Sequence, residues 1–122
     1  MKARGAQSET VKLVLLPSAD ADIVRQFGWY VEHGLPDIAR RFRSSVELSI
    51  KLALSRPKAG APKHVSNPAL SDLRSWPVKG FDEFRIYYLA RQDALMVVRV
   101  LHGKRDIGAI LEKQTVDDPD TE

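Results

Sequence analysis

Phe84-Arg85-Ile86-Tyr87-Tyr88-Leu89-Ala90, then Arg91-Gln92-Asp93, then Leu95 to Leu101 and His102-Gly103-Lys104-Arg105-Asp106-Ile107, is the stretch that decides the fold. It reads as two β-strands in hairpin order joined by a polar turn. Successive side chains of a strand point to opposite faces, so Phe84, Ile86 and Tyr88 share one face and Arg85, Tyr87 and Leu89 the other. The second strand is rich in valines, which suit a pleated surface. It is apolar on both faces except at Arg99, the pattern of a strand well inside a covered sheet. The apolar run then ends abruptly in His102, Gly103, Lys104 and Arg105. That strand end is where a partner is expected to be met.

Working outward, Val11 to Leu16 is a first strand and Pro17 closes it. Ser18 reads as the N-cap of a helix whose first turn carries Asp20 and Asp22, placed to favour the helix dipole. Ile23, Phe27, Tyr30 and Val31 give that helix one apolar face, and Gly34 is its natural stop. Pro36 suits the first turn of a second helix. Its stripe is Ile38, Phe42, Val46, Ile50 and Ala53, broadened by Leu48 and Leu52, with Arg40, Arg41 and Arg43 outside. Lys58 to Asn67 reads as a surface loop. Leu73 to Val78 is a further strand, and Pro77, lacking an N–H, belongs at an edge or a bulge. Asp106 to Lys113 is a last short helix.

The order β-α-α-β-β-β defines an α+β fold, a helical hairpin packed on an antiparallel-type sheet. With 122 residues, the chain holds a single domain over residues 11–113. Residues 1–10 are expected to be a flexible arm and residues 114–122 an acidic, disordered tail.

Composition narrows function by exclusion. Apolar residues make up 43% and charged residues 29%, as in ordinary soluble domains. The N-terminus has no apolar signal core, and the longest apolar run there cannot span a bilayer, so the expected place is the cytoplasm and no membrane is involved. There is no cysteine, hence no thiolate chemistry. Phosphate-loop and hydrolase-elbow motifs are missing, and His33, His64 and His102 are scattered, so no metal and no cofactor is expected. Net charge is +3 from 19 basic and 16 acidic side chains. Asp117, Asp118, Asp120 and Glu122 lie at the very end, which leaves a basic body suited to an acidic partner.

The catalytic chemistry worth weighing is RNA cleavage, which needs a base, an acid and cations around the phosphate. Arg85, Arg99, Lys104 and Arg105 supply charge, and His102 is a proton carrier near neutral pH. Set against that, Arg99 serves equally to pair with a carboxylate, and His102 as a plain strand-end residue. Trp76, Phe84, Tyr87 and Tyr88 have base-stacking faces, yet strand aromatics beneath a helical hairpin more often form core. Trp29 and Tyr30 are packing residues or part of a partner groove.

Val11 to Ile23, Arg40-Arg41-Phe42, Leu73 to Val78, Phe84 to Tyr88 and Val98 to Ile107 together resemble the RelE/ParE toxins of type II toxin–antitoxin, or plasmid stabilisation, systems. The resemblance covers about residues 11 to 112, and the Val-Leu-His-Gly-Lys-Arg-Asp ending is closer to the ParE branch. It implies a growth-inhibiting toxin neutralised by a cognate antitoxin, with operator DNA reached only through that antitoxin. ParE-like members inhibit DNA gyrase by binding; RelE-like members are endonucleases that cut mRNA on the ribosome. The RelE arginines fall on Arg85 and Arg105. Its lysines fall on Trp76 and Val78 and its C-terminal tyrosine on Leu111, none of which handles protons; Lys79 and His102 substitute in part. The resemblance thus favours a gyrase inhibitor, with a ribosome-dependent nuclease (Arg85, Arg105, His102, Lys79) as the alternative. A degenerate toxin that only binds antitoxin and takes part in autoregulation is a third option. Expected target contacts are Arg85, Arg99, His102, Lys104 and Arg105. The expected antitoxin groove is formed by Trp29, Tyr30, Trp76 and Tyr87.

Overall fold

The computed structural model describes residues 11–116. The expected arm and the acidic residues 117–122 lie outside them. Strand β1 (Lys12–Leu15) leads into helices α1 (Pro17–Glu32) and α2 (Pro36–Ser55). A two-residue strand β2 (Ala61–Pro62) and a 3-10 turn (Pro68–Leu70) follow. Strands β3 (Arg74–Val78), β4 (Phe81–Ala90) and β5 (Ala94–His102) and helix α3 (Ile107–Glu112) complete the chain. The sheet order is β1-β5-β4-β3-β2. It is antiparallel from β2 through β5, while β1 joins β5 in parallel. A parallel partner needs a crossover, and the α1–α2 hairpin with β3 and β4 provides it. No helix among the described residues is long and apolar enough to cross a membrane.

Both helices begin on proline, whose missing N–H is no loss in the first turn. Gly34, at φ +75°, reverses the chain between them. The α2 stripe of Phe42, Val46, Ile50 and Ala53 is buried as expected, but Leu48 and Leu52 are exposed; Ala39 and Ser49 fill out the stripe instead. Small residues there let α2 approach the sheet closely. On α1, Ala19 is fully buried while Val31 faces outward. Ser18 does not cap α1. Leu16 occupies the N-cap, and the Ser18 hydroxyl donates to the Val98 carbonyl at 2.8 Å.

The alternation in β4 sorts the core into two layers. Phe84, Ile86 and Tyr88 join Phe42, Val46 and Ile50 beneath the hairpin. Tyr87 and Leu89 join Leu70, Leu73, Met96, Val98 and Leu111 on the opposite face. Each large side chain so enclosed contributes about 1.5–3 kcal/mol of transfer free energy. Phe42 anchors the first layer, its ring edge-on to Phe81 and Phe84 at 5.3 and 5.0 Å. Pro77 does sit at a register shift in β3, as its missing donor requires. The presumed loop from Lys58 to Asn67 carries β2 and the buried Gly60, whose N–H donates to the Tyr88 hydroxyl.

A second shift in register, in the β4–β5 pair at Tyr87/Tyr88, leaves Val98 without a partner on β4. Pairing between β1 and β5 ends close by, where the Leu16 N–H reaches the Val97 carbonyl. Beyond that point α1 takes over the open edge of β5. Ser18 bonds the Val98 carbonyl, and one turn later Asp22 accepts from the Val100 N–H at 2.9 Å. Two side chains thus extend the ladder that β1 abandons, which settles where α1 crosses the sheet.

Candidate functional site

The strand end expected to meet a partner is a tight, internally bonded turn. Gly103 N–H donates to the Glu83 carbonyl at 2.7 Å, and Arg105 N–H to the His102 carbonyl at 3.0 Å. His102 Nδ1 accepts from the Lys104 N–H at 3.0 Å. A backbone N–H can only donate, so the neutral ring carries its proton on Nε2, which faces Glu83 Oε1 at 3.1 Å. With Phe84 edge-on at 4.9 Å, the imidazole is engaged on both nitrogens and along its ring. The side chains of Lys104 and Arg105 are exposed and have no bonded partner among the described residues. Asp106 caps α3 through the Ala109 N–H.

The expected cations do not share one rim. Arg85 projects on the face away from the hairpin: its Nε donates to Ser75 Oγ at 2.8 Å. It lies close enough to Tyr87 for its charge to oppose the rise that burial gives the Tyr87 phenol. Arg105 lines a small pocket on the hairpin side, together with Arg25, Gln26, Phe84 and His102. Arg99 turns inward. Its guanidinium holds both oxygens of Asp22, and Nη1 reaches Gln114 at 3.3 Å. Hydrogen bonding to Asp22 pushes the Arg99 pKa up, against the opposing effect of burial. Gln114, expected to open a disordered tail, also donates to Ser18 Oγ. Arg99 is therefore structural, and His102, Lys104 and Arg105 remain together at the turn. Lys79 is exposed on the β3–β4 turn, its backbone N–H held by the buried Ser49 hydroxyl.

Nor do the four expected groove residues form one surface. Trp29 is exposed and stacks on His33 at the tip of the hairpin, 4.0 Å between centroids. Tyr30 packs on Phe42 and Phe81, and Trp76 is half-buried in the same layer. Tyr87 lies across the sheet. An apolar groove of about 570 Å3 instead runs between β1 and the two helices. Leu13, Leu15, Ile23, Val24, Val46 and Ile50 line it, with Asp20, Glu47, Arg43 and Lys51 among its polar residues. The hairpin packs mainly on β3, β4 and β5, and the space between it and β1 stays open. Leu13 and Val24 are 48% and 62% exposed there. Neither stands out in the sequence; the one available signal is that Leu13 and Leu15 share one face of the first strand while Val14 supplies an apolar side chain to the other.

The positions corresponding to RelE proton-handling groups are occupied by packing residues. Val78 and Leu111 are fully buried, and Trp76 is half-buried under the hairpin. Among the described residues no three His, Asp or Glu side chains gather into a metal-binding group.

Residues 13–107 match the family described as the ParE toxin of type II toxin-antitoxin system, parDE. Among solved structures, the chain is similar to one described as the chromosomal ParDE TA system from P. aeruginosa. The TM-score is 0.62 at 16% sequence identity, with 76% of this chain and 96% of that chain covered. At that identity the likeness speaks to fold. The curated proteins include no match.

Proposed function

The chain belongs to the ParE toxin family of type II toxin–antitoxin systems, and we propose that within such a system it arrests growth by binding DNA gyrase, held in check by a cognate antitoxin. Binding is favoured over RNA cleavage by one observation. The positions that would supply proton transfer and base stacking are Trp76, Val78 and Leu111, all engaged in packing, and His102 has both ring nitrogens bonded. Cutting RNA through its 2′-hydroxyl requires a free base and acid beside the phosphate. Exposed Lys104 and Arg105 beside an ordered turn suit recognition of a partner instead.

The antitoxin is assigned to the groove between β1 and the helices. Six aliphatic residues in a trough rimmed by charges of both signs suit an amphipathic helix that lays its apolar face inward. Such a segment covers Leu13, Leu15 and Val24, which otherwise stay in water. Beside the groove, β1 ends the sheet, so an extended stretch of the same partner has a strand to pair with.

The test is gyrase supercoiling with purified protein, with and without antitoxin. Inhibition or accumulated cleaved complexes, reversed by the antitoxin, is the expected result. Unaffected gyrase at excess protein rejects the proposal, and cleavage of A-site codons in a toeprinting assay replaces it with the nuclease.

A further inference from the structure

Where α1 passes the end of β5, a cavity of about 80 Å3 opens between Arg25 and Gln26 on one side and His102 and Arg105 on the other. Phe84, Val100 and Asp22 complete its lining. At about 30 Å3 per water, this is space for two or three waters or for one tetrahedral oxyanion.

The charge around it is unbalanced. Asp22 is the acid in the lining, and its acceptor capacity is spent. Oδ1 takes Arg99 Nη2 at 2.7 Å and Arg25 Nη1 at 3.2 Å; Oδ2 takes Arg99 Nε and the Val100 N–H. A carboxylate offers about four lone-pair sites, so none is left for Arg105. Two guanidinium groups share that one carboxylate, which leaves a net positive charge before Arg105 is added. Arg105 and the Gln26 amide have no bonded partner among the described residues. Glu83 lies next to the pocket but is 72% exposed and bonded to His102. The apolar rings and methyls of Phe84 and Val100 strengthen any charge-assisted bond formed over them.

We infer that this pocket binds a single phosphate-type oxyanion, with Arg25 and Arg105 clamping it and Gln26 donating an amide N–H. Its size admits a phosphate group and not a nucleobase, so it reads a phosphodiester backbone without regard to sequence. Lys104, on the same turn as Arg105, is placed to meet the next phosphate along. The inference is independent of gyrase inhibition, which requires only a protein contact, and its failure leaves that proposal standing.

The experiment is a titration of the full chain at low salt, first with inorganic phosphate and then with a short mixed-sequence DNA duplex. It is followed by NMR of backbone amides and arginine Nε–Hε groups. The variants are Arg105→Gln and Arg25→Gln, with Arg41→Gln, an exposed arginine on α2, as the control. Phosphate should shift the signals of Arg25, Gln26, Lys104 and Arg105 before others. Arg105→Gln should weaken both ligands about tenfold and Arg41→Gln neither. Arg105 has no internal partner to lose, so its variant must retain the wild-type spectrum elsewhere. Shifts spread evenly over the basic surface, or equal affinities for the Arg105 and Arg41 variants, overturn the pocket. Phosphate binding that depends on Arg105 while duplex binding does not would sustain the oxyanion site and overturn its assignment to a nucleic-acid backbone.

Discussion

Arg99 and Asp22, 77 positions apart in the chain, meet as a two-point ion pair: Nε donates to Oδ2 at 2.8 Å and Nη2 to Oδ1 at 2.7 Å. The Asp22 side chain is 2% exposed and the Arg99 side chain 15%. The same carboxylate holds the Val100 N–H, so the pair also locks α1 to the open edge of β5. This relationship removes Arg99 from any target-facing surface.

Removing one partner of so enclosed a pair leaves an uncompensated buried charge. Asp22→Ala should lose about 3–5 kcal/mol of unfolding free energy, measured by urea denaturation. Arg99→Ala should lose less than Asp22→Ala, because the remaining carboxylate keeps Arg25 and the Val100 N–H. The double variant should be less destabilised than the sum of the singles. Simple additivity in that cycle would show that the two side chains do not act as a unit.

Gly60 is packed too tightly for any side chain. A Cβ there would stand 2.1 Å from the Tyr88 hydroxyl and 2.9 Å from the Ser75 carbonyl. The Ser75 carbonyl belongs to β3 and cannot yield without moving the strand. Gly60→Ala should therefore cost about 1–3 kcal/mol through overpacking. A thermal midpoint equal to that of wild type would mean that the 56–62 segment relaxes freely.

Tyr88 fastens that segment to the core. Its hydroxyl donates to the Pro57 carbonyl at 2.8 Å and accepts from the Gly60 N–H at 3.1 Å. Burial pushes the Tyr88 and Tyr87 phenols up from their ordinary value near 10. Above about pH 10 the unfolded chain releases phenolic protons that the folded chain retains. Their contribution to stability is thus complete below that pH and lost as pH rises through the folded values. Urea midpoints between pH 9 and 11 should fall more steeply for wild type than for Tyr88→Phe. At pH 7 that variant should cost about 1–3 kcal/mol, from the polar groups it leaves unpaired.

The groove assignment separates binding from folding. Val24→Lys and Leu13→Lys alter exposed side chains, so stability should change by no more than about 0.5 kcal/mol. Antitoxin affinity, by titration calorimetry, should fall tenfold or more for each. Trp29→Ala, at the far tip of the hairpin, should leave it unchanged. The reverse ranking would return the antitoxin to the surface around Trp29.

Much of the fold was legible because its causes are local. The alternation of Phe84, Ile86 and Tyr88 against Tyr87 and Leu89 assigned each to its layer, and Pro77 marked its bulge. Gly34 and Pro36 marked helix boundaries for reasons contained within one turn, whereas Pro17, read as the end of the first strand, opens α1. The candidate site was legible only in part. His102, Lys104 and Arg105 do share the strand end, but Arg85 falls on the other face and Arg99 points inward. Asp20 and Asp22 both read as first-turn carboxylates, yet α1 begins at Pro17, so that Asp20 alone stands in its first turn, exposed, while Asp22 lies in the second turn and is buried.

By itself, then, the sequence determined the main helices and strands, their order and which side of the central strands is apolar, since propensity and period act over three or four residues; the short β2 and the 3-10 turn escaped it. Tertiary structure alone decided which charges face a partner and where the apolar surface stays uncovered. Both follow from where α1 crosses β5. That crossing depends on the unpaired Val98 and on the parallel β1–β5 register, contacts that exist only once distant segments have met.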